Sequence, residues 1–311
     1  MVTNTLVTLD DVRAAAVRIR GVARRTPVLE VGSLALKCEN LQPMGAFKVR
    51  GACNMIAQLP PEARAVGVVT YSSGNHGQAV ALVAQRFSIP AVVVMPETAP
   101  PIKVNGVRRY GAEVIFAGTT TLHRQARAED EVAARGLTMV PPFDHPWIIA
   151  GQGTAGLEIL EQCSNVATVF VPAGGGGLIS GVATAIKGMR SGVRIIGVEP
   201  AGAAKMSASR AAGHAVTLDR TSSIADGLLA VRPGDLTFQH LQAFVDDVVT
   251  VTDAQIEAAI RWLFGEASLV AEPSGATAVA GALAHGTGGA GVAVVSGGNV
   301  DPEAYARYIT G

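Results

Sequence analysis

The chain has little charge, little cysteine and no long apolar run. Only 16% of its 311 residues are charged, and 25 Lys and Arg balance 25 Asp and Glu, so the formal net charge is zero. A neutral chain lacks the basic surface of a general nucleic-acid binder, so we expect no nucleic-acid partner. The longest apolar stretches, such as 91–95, are too short to cross a bilayer, so we expect no membrane partner either.

The three cysteines are scattered along the chain, in a pattern that fits neither a disulfide framework nor a zinc site. We therefore expect buried, reduced thiols and no metal centre. The N-terminal segment also lacks a basic region before an apolar core, and Asp10 and Asp11 lie where a secretory signal would be apolar. The pattern predicts instead a helix over about 9–22, capped by Thr8, and a cytoplasmic protein.

What the chain has in abundance is glycine, at 36 positions, and a regular alternation of short apolar runs with amphipathic stretches. This alternation predicts an α/β fold with mainly parallel sheets. The predicted strands are 34–37, 66–70, 91–95, 113–116, 167–171, 194–198, 246–251 and 291–295. The predicted helices lie near 49–58, 76–87, 102–110, 120–135, 151–163, 178–189, 202–212, 253–265 and 275–285. Ligands of open α/β sheets bind where strands lead into helices, so the functional residues are expected there.

Four consecutive glycines lie between a predicted strand and a predicted helix. They are Gly174, Gly175, Gly176 and Gly177. Their bare backbone lets successive N–H groups converge on one anion, and the helix N-terminus adds its dipole. A flexible turn is the alternative, but the conformational cost of four glycines favours a phosphate site. The run is neither GxGxxG nor GxxxxGK[ST], so the phosphate is not expected to belong to NAD or ATP.

Small polar residues follow the strand predicted at 66–70. They are Ser72, Ser73, Gly74, Asn75 and His76. Hydroxyls, an amide and free N–H groups at a helix start would suit a carboxylate, although an ordinary helix cap explains them equally well. A single histidine is more often structural than a base. Weaker signals of the same kind surround Gly227 and Ser296.

Lysine is scarce, with five residues against twenty arginines. Arginine cannot deprotonate to act as a nucleophile, whereas lysine can. Lys48 lies at a predicted helix start between Gly45 and Gly51, where burial and a helix dipole would lower its pKa. A nucleophilic lysine, a phosphate loop and no nucleotide motif together favour pyridoxal phosphate, a phosphorylated aldehyde that lysine holds as a Schiff base.

At these residues the chain resembles the serine/threonine dehydratase and serine racemase family of fold-type II pyridoxal-phosphate enzymes. The resemblance runs from about 12 to 300 and keeps the family's motifs in order. These are KCENLQPMGAFKVRGA (37–52), SSGNHGQA (72–79), PPFDHPWIIAGQGT (141–154), PAGGGGLISG (172–181), SIADGL (223–228) and SGGN (296–299). The resemblance implies a tryptophan synthase β-like fold of two open, twisted, mainly parallel sheets, with the cofactor between two domains. The large domain would comprise 1–66 and 145–311, the small domain 67–144, and the protein would be a homodimer.

The resemblance also implies a role for each site residue. Lys48 would bind the cofactor and then move the Cα proton, and Ser73 would face Cα from the opposite side. The cofactor ring would lie between Phe47 and Gly227, with Asn75 at its phenolic oxygen, Ser296 at its nitrogen, and the backbone of Gly174, Gly175, Gly176, Gly177 and Leu178 at its phosphate. The substrate carboxylate would be received by Ser72, Ser73, Asn75 and His76.

The implied reaction is the elimination of the β-hydroxyl of L-threonine or L-serine, which yields 2-oxobutanoate or pyruvate and ammonia. A hydroxyl at the ring nitrogen does not stabilise a protonated ring, which favours prompt loss of a β-leaving group. Ser73 leaves a serine racemase or a 3-hydroxyaspartate dehydratase as alternatives, because a serine there can return a proton to Cα. A non-catalytic binding protein with the same fold is a further alternative.

The chain departs from the family pattern at a few positions. Lys205, downstream of Glu199, stands at the position where eukaryotic-type racemases carry an acidic metal ligand. A positive charge there opposes metal binding, so we predict no dependence on divalent metals. Ala46 replaces the usual serine before Phe-Lys, and the segment 27–37 is shorter than in most relatives. The chain ends soon after SGGN, so feedback regulation by isoleucine is not expected.

Overall fold

Two sheets form the framework of the protein in the computed structural model, which describes residues 5–310. The strands are β1 (Val28–Val31), β2 (Leu34–Lys37), β3 (Val68–Tyr71), β4 (Ala91–Met95), β5 (Glu113–Phe116), β6 (Thr138–Met139), β7 (Thr168–Pro172), β8 (Arg194–Pro200), β9 (Asp247–Val251) and β10 (Gly291–Val294). One sheet has the order β1-β2-β10-β7-β8-β9 and the other β5-β4-β3-β6. All pairings are parallel except that of β1 with β2, so the predicted α/β fold with mainly parallel sheets is confirmed.

Helices connect the strands and cover the sheets. They are α1 (Leu9–Arg18), α2 (Lys48–Ile56), α3 (Pro61–Val66), α4 (Asn75–Phe87), α5 (Pro101–Arg108), α6 (Thr121–Arg135), α7 (Pro146–Gln162), α8 (Gly177–Met189), α9 (Lys205–Ala212), α10 (Asp235–Phe244), α11 (Asp253–Ala267), α12 (Pro273–His285) and α13 (Pro302–Thr310). Among the described residues, no helix combines the length and the apolar composition needed to cross a membrane.

Most predicted elements are present, and the differences have local causes. The hydroxyl of Thr8 accepts a hydrogen bond from the N–H of Asp11, as predicted, but α1 ends at Arg18 and not near 22. Strand β3 starts later than predicted because Val66 ends α3 and Gly67 turns the chain with φ +118°. Strands β1 and β6 and helices α3, α10 and α13 were not predicted. The short segment 27–37 folds as a hairpin, with β1 and β2 joined by only two residues.

The four strands of the smaller sheet lie between residues 68 and 139. Helix α2 belongs to the segment expected in the large domain, yet it packs against α4, which follows the first strand of the smaller sheet. Val49 and Ile56 of α2 share a buried apolar cluster with Val80 and Val83 of α4. The domain boundaries at 66 and 145 therefore stay a prediction.

Helix α7 packs very closely against its neighbours because it presents glycines to them. A Cβ atom at Gly151 would lie 2.7 Å from the carbonyl oxygen of Arg50 in α2. A Cβ atom at Gly181 of α8 would lie 2.2 Å from the carbonyl oxygen of Ile149 in α7. Real Cβ atoms do not approach oxygen so closely, so glycine is required at both positions. These contacts set the positions of α2 and α8, which begin at Lys48 and at the glycine run.

A buried ion-pair cluster anchors α2 on its other side. Arg50 is fully buried, and its guanidinium donates to Glu39 at 2.7 Å and to Glu158 of α7 at 2.7 Å. Lys37 of β2 is also buried and lies 2.6 Å from Glu158. Two cations thus meet two carboxylates, which offsets the cost of removing these charges from water. Burial alone would raise the pKa of Glu39, but the Arg50 guanidinium outweighs it and holds that pKa below its usual value.

We expect Arg50→Met to lower the free energy of unfolding by about 3–5 kcal/mol, because it leaves buried carboxylates without their partner. Urea unfolding at neutral pH measures the change. Arg13→Met is the matched control, since Arg13 pairs with Asp10 on the exposed face of α1, and it should cost less than about 1 kcal/mol. Equal losses in the two variants would contradict the stabilising role of the cluster.

Candidate active site

Lys48 is the first residue of α2, and its side chain is half-buried. Its Nζ donates to the carbonyl oxygen of Pro142 at 2.7 Å and lies 5.2 Å from the centre of the Phe47 ring. Burial lowers the pKa of Lys48 to about 8. Among the described residues it has no carboxylate partner that would restore the charged form. A useful fraction of the amine is therefore uncharged, and hence nucleophilic, near neutral pH.

The predicted glycine run connects β7 to α8 and forms a cradle of bare backbone. Gly176 has φ +104°, in the region that favours glycine. A Cβ atom at Gly175 would lie 2.3 Å from the ring of Phe143, which follows the Pro142 that binds Lys48. Within residues 5–310, the N–H groups of 174–178 donate to no protein acceptor. Free N–H groups at a helix N-terminus are what a phosphate group binds.

Gly227 lies beside the glycine run, and Ser296 lies beside Phe47, the residue before Lys48. A Cβ atom at Gly174 would be 3.2 Å from the carbonyl oxygen of Gly227. The N–H of Gly227 donates to the hydroxyl of Ser274 at 2.9 Å, and the hydroxyl of Ser296 donates to the carbonyl oxygen of Ser274 at 3.3 Å. The carbonyl oxygen of Ser296 accepts from the N–H of Phe47 at 3.0 Å. Ser274, which was not predicted, thus joins two of the predicted residues.

Asn75 begins α4 and links the smaller sheet to this group of residues. Its Nδ2 donates to Oε1 of Glu272 at 2.5 Å, and its Oδ1 accepts from Nδ2 of Asn299 at 2.8 Å. Asn299 also donates to the carbonyl oxygen of Met44 at 2.8 Å. Gly297 leaves space for the carboxyl group, since a Cβ atom there would be 2.1 Å from Oε1. Asn75 is therefore held at both polar ends of its side chain.

Glu272 is a buried acid that was not predicted from the sequence. Burial first, and then the negative charge of Asp226, raise the pKa of Glu272 to about 8, although the hydrogen bond from Asn75 opposes this. The carboxyl group is therefore protonated at neutral pH. One signal was available, because Glu272 is the single acid in the apolar stretch 269–283. Nothing in that stretch alone places it beside Asn75, 197 residues earlier.

The remaining residues predicted to receive the substrate carboxylate lie between β3 and α4. The hydroxyl of Ser72 accepts from the N–H of Gly74 at 3.1 Å, and Ser73 is half-buried. Nε2 of His76 lies 3.0 Å from the carbonyl oxygen of Val140, so Nε2 carries the proton. Burial, reinforced by the Lys48 charge, lowers the pKa of His76 to about 3. Its imidazole is thus neutral and held by protein.

An ion pair lies on the solvent-exposed side of the candidate active site. Lys103 of α5 pairs with Asp226, the residue before Gly227. It also lies next to the helix start that carries Asn75, because a Cβ atom at Gly74 would be 3.8 Å from its Nζ. The two sheets are therefore joined across the site by the Asn75–Glu272 hydrogen bond and by this ion pair.

Residues 19–297 match the family model of pyridoxal-phosphate dependent enzymes. The chain belongs to this family. The predicted family and cofactor are thus confirmed, and the site suits that cofactor: it has a half-buried, partly uncharged lysine and a backbone cradle of free N–H groups that side chains would fill.

Relatives of this pyridoxal-phosphate enzyme differ in activity. The chain is 44% identical over 314 residues to L-threonine ammonia-lyase of Thermotoga maritima, and the aligned region covers 98% of this chain and 78% of that protein. It is 39% identical over 315 residues to L-threo-3-hydroxyaspartate ammonia-lyase of Saccharomyces cerevisiae, with 98% and 97% covered. The structure of maize serine racemase superposes with a TM-score of 0.94 at 39% identity and 97% coverage of both chains, which confirms the predicted fold.

We expect Glu272→Gln to remove a pH-dependent loss of stability. The folded-state pKa of Glu272, about 8, lies above the ordinary glutamate value of 4.5. Its contribution to stability is therefore complete below pH 4.5 and is lost as the pH rises towards 8. One pKa unit corresponds to about 1.4 kcal/mol, so the loss reaches a few kcal/mol.

Urea unfolding of the wild type and Glu272→Gln at pH 5.5 and pH 8 checks this expectation. The variant should be more stable relative to the wild type at the higher pH. Glu266→Gln is the matched control, because Glu266 is an exposed residue of α11, and it should leave the pH dependence unchanged. If Glu272→Gln also leaves it unchanged, Glu272 is ionised in the folded protein.

Proposed function

We propose that this enzyme is an ammonia-lyase that removes the β-hydroxyl of L-threonine or L-serine and releases 2-oxobutanoate or pyruvate with ammonia. The observation that carries the proposal is the meeting of the Lys48 amine, the glycine cradle and the Ser296 hydroxyl in one network of contacts. The likeness to threonine and hydroxyaspartate ammonia-lyases supports the same reaction. Bound pyridoxal phosphate supplies the electron sink for this chemistry.

In this proposal the glycine cradle orients the cofactor. The N–H groups of Gly174 to Gly177 and of Leu178 hold the phosphate, and Phe47 and Gly227 enclose the ring. Asn75 would donate to the phenolic oxygen with the second hydrogen of Nδ2, because the hydrogen bond to Glu272 uses only one of the two.

Lys48 moves the proton at Cα. Its lowered pKa leaves part of the amine able to accept that proton near neutral pH, and the carbonyl oxygen of Pro142 keeps Nζ at one position. The hydroxyl of Ser296 would lie at the ring nitrogen of the bound cofactor, where a hydroxyl does not stabilise a positive charge. Such a partner would favour prompt loss of the β-hydroxyl over exchange of the Cα proton.

The first turn of α4 receives the substrate carboxylate. Ser72, Ser73, Asn75 and His76 belong to or precede this turn, whose N–H groups and dipole favour an anion. The neutral imidazole of His76 adds no charge, so its contribution is its backbone N–H and its packing.

We further propose that the protein acts as a cytoplasmic homodimer, with a large domain of 1–66 and 145–311 and a small domain of 67–144. Light scattering of the purified enzyme tests the oligomeric state. Limited proteolysis tests the boundaries, because cleavage between domains occurs in exposed linkers.

A screen of β-hydroxy amino acids for keto-acid release, run beside a chiral assay, tests the proposed reaction. We expect L-threonine or L-serine to release keto acid and ammonia in equal amounts. Formation of D-serine faster than pyruvate would identify a serine racemase instead. Release of oxaloacetate from 3-hydroxyaspartate in clear preference would identify a 3-hydroxyaspartate dehydratase.

Lys48→Ala should lower kcat by at least about 10³-fold, because the group that moves the Cα proton is lost. The visible absorbance of lysine-bound cofactor should disappear in the same variant. Lys48→Arg keeps the positive charge but cannot deprotonate, so it should be equally inactive. Activity retained in either variant at more than about a tenth of the wild-type value would exclude Lys48 as the catalytic residue.

A further inference from the structure

Lys205, the first residue of α9, is fully buried and has no part in the reaction proposed above. Removal of an ammonium group from water is costly unless hydrogen bonds and opposite charge replace the water. Its three N–H bonds are all used inside the protein. The Nζ donates to the carbonyl oxygens of Ala173 at 2.9 Å, Leu228 at 2.9 Å and Ala203 at 3.1 Å.

A carboxylate completes the surroundings of this ammonium. Oε2 of Glu199 lies 3.7 Å from Nζ, and Glu199 is itself fully buried. The carboxylate accepts from the N–H groups of Met206 at 2.9 Å and Ser207 at 2.8 Å, in the first turn of α9. Burial lowers the pKa of Lys205 to about 8, and the negative charge of Glu199 opposes that change. The carboxylate thus favours the charged ammonium.

Three carbonyl oxygens and one carboxylate around a single positive centre form the kind of ligand set that hard cations bind. The distances of 2.9–3.1 Å to the carbonyl oxygens suit an ammonium nitrogen. They are longer than the 2.3–2.6 Å of calcium ligands. The side chain of Lys205 therefore occupies the position that a bound cation would take.

The three carbonyl groups belong to different segments that meet at the cofactor site. Ala173 directly precedes the glycine run, Leu228 directly follows Gly227, and Ala203 lies in the turn between β8 and α9. The segments around Gly174 and Gly227 are also closely packed, because a Cβ atom at Gly174 would lie 3.2 Å from the carbonyl oxygen of Gly227. The Lys205 ammonium donates to Ala173, before the glycine run, and to Leu228, after Gly227. It therefore holds the phosphate cradle against the segment that would cover the cofactor ring.

We propose that Lys205 is a built-in cation that holds the glycine cradle and the Gly227 segment together, so that cofactor binding needs no added metal ion at this position. Lys205 is a positioning residue, because it acts through the two segments. The inference rests on the proposed placement of the cofactor phosphate at 174–178. It does not depend on which amino acid is the substrate.

Two variants and one matched control test the inference. Lys205→Ala removes the ammonium and leaves space for an ion, whereas Lys205→Met removes the charge and fills the space. Lys187→Ala is the control, because Lys187 also donates to two backbone carbonyl groups, of Ser191 and Val193, and pairs with Asp246. Those groups lie at the far end of α8, away from the cradle.

The dissociation constant of pyridoxal phosphate and the melting temperature are measured for each variant in tetramethylammonium chloride, KCl, NH4Cl and MgCl2 at one ionic strength. The wild type should give the same values in all four salts. Lys205→Ala should bind the cofactor at least about tenfold more weakly in tetramethylammonium chloride, and KCl or NH4Cl should restore most of the loss. Lys205→Met should be weakened in every salt. Lys187→Ala should show a lower melting temperature with unchanged cofactor affinity.

Three results would overturn the inference: a wild type that gains affinity from K⁺ or Mg²⁺, wild-type cofactor affinity in Lys205→Ala, or an equal defect of Lys205→Ala in all four salts. If Lys205→Ala does not fold in tetramethylammonium chloride, its refolding yield in KCl provides the same comparison, and no recovery overturns the inference. Failure of the proposed function is distinguishable, because a wild type without keto-acid release leaves the cofactor affinities and their salt dependence unaffected.

Discussion

The site depends first on the buried ion-pair cluster around Arg50. This arginine follows Lys48 by two residues in α2, and its guanidinium is held by Glu39 and by Glu158 of α7. Lys37 makes the cluster electrically balanced. A buried charge without a partner is strongly unfavourable, so the cluster admits one position for α2. The reactive amine, at the first residue of that helix, is thereby placed by charges that never meet the substrate.

The active site itself is built almost without net charge. Apart from the Lys48 amine and the Lys103–Asp226 ion pair, its polar groups are backbone N–H groups, hydroxyls, the Asn75 amide, a neutral imidazole and the protonated carboxyl group of Glu272. The ammonium of Lys205 donates to the residue directly before the cradle, and its other partners are two further backbone carbonyl groups and Glu199. A bound dianionic phosphate would thus meet dipoles aimed at it before it meets full charges. The low charge content of the chain agrees with such a site.

Local sequence patterns were sufficient for most of the framework. Apolar runs such as 91–95 and 291–294 are strands because they are buried on both faces between helices, which makes their composition distinctive. Helix α10 and strand β1 were missed for a physical reason. The burial of β1 is only partial, so its residues lack a continuous apolar run. Asp144 caps the N-terminus of α10 from 91 residues away, and the local N-cap residue, Gly234, has no side chain that could do so.

The fold class, the run of four glycines and the unusual setting of Lys48 could be predicted because each follows from the conformational or chemical properties of residues close together in the chain. Only the folded structure shows that Glu272 and Asn299 hold Asn75, and that Ser274 joins Gly227 to Ser296. It also shows that the Lys205 ammonium donates to Ala173, the residue directly before the cradle. These contacts join residues distant in sequence, and burial, which sets their protonation states, exists only once the chain has folded.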